Sequence, residues 1–339
     1  MSDASQNMDG GEGRRFDMPG DDIVQPFQIE DLGIRGRLVR LGPLVDEVLK
    51  RHDYPEAVSR LLGEALALTV MIGSALKFEG RFILQTQSKG PISMLVADYE
   101  SRHDGAGHAH GRVRGYAHMD REVVDEALAA GRGSPAELMG EGHLALTIDQ
   151  GRDMDRYQGI VALDPAGLTH SAHEYFENSE QVATRIRIAA GPLYTRDAQG
   201  HSEMHWRAGA IMIQHIAQEG GLTGYREDDE SPYTEEEESW NRASILLDTV
   251  EDHELLDPAL EPQRLLFRLF HEDGVRAFQT SDVEFGCRCS RERMSSVLRS
   301  FGAEEIDSMV LDGAITTKCE FCSSVYVFTA DELKAGLEE

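Results

Sequence analysis

The sequence predicts an α+β fold: an N-terminal, mainly antiparallel sheet with helices packed against it, a charged helical linker, and a small C-terminal cysteine domain. Three observations lead there. Short alternating runs recur between Ile23 and Leu163, punctuated by turn residues and by segments of helical period. Residues 227–261 hold fourteen Asp or Glu against a single base, Arg242. All four cysteines of the 339 residues, Cys287, Cys289, Cys319 and Cys322, fall in the last 53.

Residues 1–22 are Gly- and Asp-rich with no apolar segment, and read as a disordered tail rather than a signal peptide. A core domain is expected over 23–225. The stretch PFQIEDLGIRGRLVRLG alternates around Ile34, Leu38 and Val39 and reads as strand. From Pro55 to Lys77 the period turns helical: Val58, Leu61, Leu62, Ala65, Leu68, Ile72 and Leu76 recur at three and four, so that helix should be buried. Strands follow at Phe82–Gln87 and Ile92–Asp98, parted by the turn residues Gly90 and Pro91. Further strands are expected at Arg112–Ala117, Leu144–Asp149 and Tyr157–Leu163, with helices near Val123–Ala130 and His170–Phe176.

The linker is placed at 226–281, after the turn-rich GGLTGY. Trp240, Ala243, Leu247 and Val250 fall at helical spacing, and Pro262 opens a second helix striped by Leu265, Leu266, Leu269 and Phe270. Its like charges repel at every turn, so it should fold only against a neighbour; a plain solvated connector is the alternative. The cysteine domain spans 282–339. Within it Met294, Val297, Leu298 and Phe301 share a helical face, Ser290 offers an N-cap, and SSVYVF reads as a strand alternating at Val325 and Val327.

Charge narrows the partners. The balance of 33 basic and 61 acidic residues gives −28, which disfavours nucleic-acid phosphate and anionic membranes. The longest nearly apolar run, Ala65–Leu76, is too short to span a bilayer, and a cytoplasmic protein is expected. In such a chain four cysteines point to metal or redox chemistry rather than a disulfide framework. C-x-C and C-x-x-C suit a tetrahedral zinc, which would staple a domain of under ~60 residues too small to hold itself. Three uses remain open: a closed structural zinc site, a nucleic-acid-binding ribbon, or a redox switch. The ribbon is weakest, because 282–339 carries six Lys or Arg against twelve Asp or Glu.

Other features read as structural. His103, His108 and His110 could ligate a metal but fit a Gly-rich surface loop better. Arg112 and Arg114 alternate along a strand and are expected to face solvent; Met71, Met94 and Met212 sit in core-like runs. The chain has neither a convincing Ser-His-Asp set nor a G-x-x-x-x-G-K-[ST] loop.

The chain resembles the redox-regulated 33 kDa chaperonin (heat shock protein 33) family. The resemblance rests on FGCRCSRER, GAEEIDSMV and CEFCSSVYVF, with IRGRLVRL, LKFEGRFILQTQ, GPISMLVAD, RVRGY, GEGHLALTID and EYFENSEQ in the same order over about 23–330. The tail, the segment around Tyr194–Trp206, the strong acidity of the linker, and AGAIMIQ in place of a Gly-Gly pair depart from the family pattern. The resemblance implies an ATP-independent holdase, not an enzyme, inactive while zinc sits on Cys287, Cys289, Cys319 and Cys322. Oxidation would form Cys287–Cys289 and Cys319–Cys322, release the metal, unfold the small domain and linker, and expose surface for unfolded clients, often in a homodimer. The competing expectation is an enzyme or adaptor whose C-terminal zinc is purely structural.

Overall fold

The computed structural model describes residues 20–76, 80–103, 109–151, 154, 156–196, 199–215 and 234–335. Most of the expected tail, the GGLTGY turn and the first part of the acidic block lie outside them.

The first expected strand is a hairpin. Ile23–Ile29 (β1) and Ile34–Leu41 (β2) pair throughout, joined across a turn in which Gly33 takes φ +62°, a conformation open to glycine. Pro43–Lys50 (α1) is too short for its periodicity to stand out. Glu56–Gly73 (α2) starts after Pro55 and is buried on nearly every side, as its all-round apolar second half predicts. Then come Gly80–Ser88 (β3), Ile92–His103 (β4) and Ala109–Met119 (β5), the helix Arg121–Ala129 (α3) capped by Asp120, and the short Pro135–Met139 (α4) with a Ser134/Glu137 capping box. Gly142–Asp149 (β6), Tyr157–Ala162 (β7) and Leu168–Tyr175 (α5) follow.

Thr184–Arg196 (β8) and Ser202–His215 (β9) form a long hairpin that periodicity does not signal. The departure at 194–206 is its far end. The linker supplies Glu235–Asp248 (α6), Asp252–Leu256 (α7), Pro262–Phe270 (α8) and the short strand Val275–Ala277 (β10), and Ser281–Phe285 (β11) opens the expected cysteine domain. The chain ends in Arg291–Arg299 (α9), Ala303–Ser308 (α10), the hairpin Ile315–Lys318 (β12) and Val325–Phe328 (β13), and Ala330–Lys334 (α11).

Eleven strands make one sheet in the order β7-β6-β3-β4-β5-β11-β1-β2-β9-β8, with β10 also on β1. Every pairing is antiparallel except β11 with β5, so the sheet is mainly antiparallel as predicted. Because side chains alternate across a strand, β2 and β9 serve two cores. Val39, Leu41, Ala208, Ala210 and Met212 meet α2 in the larger one. Ile34, Leu38, Ile211 and Ile213 face the other way, into a second core closed by Ala243, Leu247, Val250, Leu265, Leu266, Leu269 and Phe270 of the linker. The linker stripe is therefore buried on the sheet. Phe27 stacks on Phe270 with ring centroids 5.9 Å apart, and only a glycine at 36 leaves space for the Phe27 ring, which lies 2.1 Å from where a Cβ would stand.

Polar bonds also fasten the linker. Arg40, 3% exposed on β2, donates to the carbonyl oxygens of Leu260 and Asp257, and Arg185 grips Asp248 through two bonds of 2.6 and 2.9 Å. Burial pulls the Arg40 guanidinium down to about 10, and Asp257 opposes the shift.

Candidate metal centre

The cysteine unit starts where the sheet ends. Gly286 donates its N–H to Val113 of β5 (3.1 Å), and Cys287-Arg288-Cys289 follows at once. Ser290 then caps α9, accepting from the Arg293 N–H at 3.2 Å. The second pair lies in the β12–β13 turn, closed by Ser323 N–H to Cys319 O (2.8 Å) and Cys319 N–H to Ser324 O (2.9 Å). Behind the two loops, among the described residues, sits a core of four buried apolar side chains, Ile306, Ile315, Phe328 and Leu333.

The four sulfurs converge. All lie within 4.8 Å of one another, with Cys287–Cys289 at 3.4 Å, Cys287–Cys319 at 3.7 Å and Cys289–Cys322 at 3.3 Å. Four sulfurs ~2.3 Å from one tetrahedral zinc would stand ~3.8 Å apart, so the cage matches that ion in size and donor type. The distances far exceed a disulfide bond of ~2.05 Å, and all four thiols are free. Tyr326 donates its hydroxyl to Cys289 Sγ (3.1 Å), and Ser324 Oγ lies 3.2 Å from Cys322 Sγ, partners that orient a thiolate. Burial pushes the Cys289 thiol up to about 12 and raises Cys319 as well. Cys322 is also desolvated, but Ser324 and the neighbouring thiols bring it down to about 7. Four thiolates this close need a cation between them. Among the described residues this is the one His, Cys or carboxylate group able to ligate a metal.

The tips of both cysteine loops rest on the sheet. Arg288, between Cys287 and Cys289, pairs with Asp98 of β4, which is 5% exposed and also takes Arg114 of β5 at 2.9 Å. Phe321, between Cys319 and Cys322, lies under the Arg114 guanidinium (3.8 Å to the ring centre) and edge-on to Tyr116 (4.8 Å). Arg51 donates to the Cys322 carbonyl at 3.4 Å. Burial lowers the Arg288 guanidinium; Asp98 opposes that, and Arg114 and Arg81 add to it.

Several expectations need correction. Arg114 does not face solvent: the cysteine unit covers that side of the sheet, leaving its side chain 15% exposed. On α9 only Met294 and Leu298 meet the small core, while Val297 and Phe301 stay 60% and 39% exposed, because an i, i+4 pair suffices to cover four residues. In β13 the valines point outward and Tyr326 and Phe328 inward, the reverse of the expected alternation. Met94 is half-buried, whereas Met71 and Met212 are core. The His103 side chain and His108 lie outside the described residues; His110 is half-buried on β5. Asp98 gave no sequence signal, since the two residues it joins are linked to it only through the folded sheet.

A two-faced sheet that buries an acidic helical linker and carries a docked four-thiol unit defines a protein whose small C-terminal module gathers four cysteines into a cluster able to hold a metal ion. The profile of the Hsp33 protein family matches residues 22–329, and the chain belongs to that family. The chain is 44% identical to the 33 kDa chaperonin of Caulobacter vibrioides over 309 residues, 90% of this chain and 94% of that one. It is 37% identical to the 33 kDa chaperonin of Pseudomonas syringae over 321 residues, 94% of each. The crystal structure of a 33 kDa chaperonin from Thermotoga maritima shares the fold: TM-score 0.69 at 23% identity, covering 94% of this chain and 98% of that one. Among the described residues no helix is long and apolar enough to cross a membrane.

Proposed function

We propose that this chain is a redox-regulated, ATP-independent holdase of the cytoplasm rather than an enzyme, with unfolding proteins as its clients. In this reading 23–225 is the chaperone core, 226–281 the linker and 282–339 the switch. The observation that carries it is the convergence of four thiols where the tips of both cysteine loops are bonded to the sheet.

Zinc, when bound, would supply the positive charge that lets Cys287, Cys289, Cys319 and Cys322 stand together as thiolates. Four protein ligands leave no open position, which suits a staple rather than a catalyst. Oxidation removes the cage. One thiolate of a pair attacks peroxide and becomes a sulfenic acid as hydroxide leaves; its partner attacks that sulfur, closing the disulfide and expelling the second oxygen as hydroxide. Two peroxides thus consume four thiolates. The pairs proposed are Cys287–Cys289 and Cys319–Cys322, on the family resemblance, because Cys289 and Cys322 stand equally near at 3.3 Å. Disulfide sulfurs are poor ligands, and a unit with four buried apolar side chains does not hold itself without a staple. Arg288 and Phe321 then leave the sheet, the linker loosens, and the apolar face of β1, β2 and β9 becomes available to clients and to a second copy.

The test compares the reduced protein with the same protein after peroxide and mild heat, following zinc content, disulfide mapping and suppression of client aggregation. The expected result is suppression only after oxidation, with local disulfides and metal loss. Equal suppression in both states, or metal that survives oxidation, would sink the reading. Cys319→Ser with Cys322→Ser should uncouple activity from oxidant; a purely structural zinc domain would show destabilisation alone.

A further inference from the structure

Against a net charge of −28, one cleft of this molecule gathers six arginines. Between the outer face of the sheet and the cysteine unit lies an open cavity of about 960 Å³. Arg81 and Arg102 reach it from β3 and β4, Arg112 and Arg114 from β5, and Arg288 and Arg293 from the cysteine unit. Among the described residues, the carboxylates paired with them are Asp98, Glu100, Asp149 and Glu284. Among the described residues six guanidiniums meet four carboxylates, and Cys287, Cys289 and Cys319 line the same cavity, so a zinc held by four thiolates would offset the two positive charges left over; what stays on offer to a ligand is the set of N–H donors.

Toward the described residues the donors are not used up. A guanidinium carries five N–H groups in a fork that matches oxyanions. The hydrogen bonds these six arginines make to described residues engage a single nitrogen of each. Arg114 Nε is buried with no partner among the described residues, which leaves a polar group in want of an acceptor. Ser290, the N-cap of the nine-residue α9, lies in the same cavity wall and brings the positive end of the helix to it.

We propose that this cleft is a binding site for a small multivalent oxyanion of the phosphate type. A carboxylate offers two acceptor oxygens, whereas guanidiniums converging from the sheet, the C-R-C loop and the start of α9 call for a ligand with more. The cavity volume is that of a small-molecule site, and the charge of the rest of the chain repels long polyanions. The chemistry is shared by inorganic pyrophosphate and by the phosphates of a nucleotide. An occupant bridges the cysteine unit and the sheet and opposes their separation, by mass action on the docked state.

The test is calorimetric titration of the reduced, metal-loaded full chain with pyrophosphate and with ADP, the zinc content being followed because both ligands chelate metals. Binding that weakens with added salt is expected, and Arg102→Gln and Arg293→Gln should each weaken it roughly tenfold while circular dichroism and zinc content stay unchanged. Equal affinity for the two ligands assigns the site to phosphate alone; tighter ADP assigns it to a nucleotide. A flat isotherm, or affinity untouched by both variants, overturns the proposal and leaves the arginines to balance the charge of the metal–thiolate site. Tighter binding of a tri-glutamate peptide than of pyrophosphate overturns it in favour of an acidic peptide. The measurement uses neither oxidant nor client, so it stands or falls apart from the holdase reading.

Discussion

Replacing Asp98 by Asn should undock the cysteine unit without removing a cysteine. Asp98 is 5% exposed and carries two guanidiniums, Arg114 from the sheet and Arg288 from the C-R-C loop, whose side chains are 15% and 18% exposed. The neutral amide keeps the shape but leaves two like charges with no carboxylate between them. Breaking a fully buried pair costs ~3–5 kcal/mol; water reaches part of both guanidiniums and the amide oxygen still accepts, so about 2–3 kcal/mol is the appropriate size. That shifts the docked-to-undocked ratio roughly 30- to 150-fold. In reduced, metal-loaded protein, limited proteolysis should cut within 287–335 faster by that order, and peroxide should consume the thiols faster. The sheet should still melt cooperatively. Adding Arg288→Met, which removes one of the stranded charges, should recover part of the loss, a coupling readable as a double-mutant cycle. Wild-type proteolysis and oxidation rates in Asp98→Asn would refute the argument. So would loss of the sheet itself, which would make Asp98 a core residue rather than a latch.

Two further perturbations address the linker. Phe270 is fully buried on α8, and Phe270→Ala should cost about 3–5 kcal/mol, read as dye binding and proteolytic cutting at 234–270 in the reduced protein; unchanged dye binding would mean that other contacts hold the linker. Glu64 of α2 is raised to about 7, chiefly by burial and then by repulsion from Asp252 of α7, with Arg60 opposing. Between its unfolded value of 4.5 and about 7 the folded state keeps a proton that the unfolded state has lost, so its contribution to stability falls as pH rises through that window. His173 in the same pocket is held down to about 4 by burial, which gives the opposite slope between there and 6.5, so the test is the difference between Glu64→Gln and wild type. The variant should gain up to about 3 kcal/mol at pH 8 and nothing at pH 4, and a pH-independent difference would sink the assignment.

Alternation identifies strands that have one wet face, and β3 and β7 are legible for that reason, whereas β4, buried throughout Leu95–Tyr99, is marked by the turn residues Gly90 and Pro91 before it. β9 is not legible. Its Ala208, Ala210 and Met212 face α2 while Ile211 and Ile213 face the linker, so AGAIMI carries no period-two signal. The four cysteines stood out because metal chemistry is written in residue type and short spacing. Their surroundings did not. Arg288 meets Asp98 across 190 residues of sequence, and no local pattern marks an aspartate on a strand as the partner of an arginine between two cysteines. In β13 the aromatic positions won the inner face from the valines because Tyr326 also had to reach Cys289.

On the switch reading, the path from thiols to linker runs through β11. This strand fills the gap between β5 and β1, pairing parallel with one from Asp282 to Phe285 and antiparallel with the other through Ser281 and Asp282. No tight turn ties it to either neighbour. Its tethers are the linker strand β10 behind it and Cys287, two residues ahead of Phe285. With the zinc proposed above in place, stripping it from reduced protein removes the forward tether. Protection from hydrogen exchange should then fall at Val283, which bonds Asp22 O at 2.7 Å, and at Gly286, together with β12 and β13. The buried helix α2 and strand β9 should keep theirs. Loss of β11 would leave β1 and β5 with open edges, and unpaired edges together with an uncovered apolar face are what a sheet needs to hold an unfolding chain. Val283 still protected like α2, while β12 and β13 exchange freely, would cut that path and leave the linker controlled by its own contacts with β2, β8 and β9.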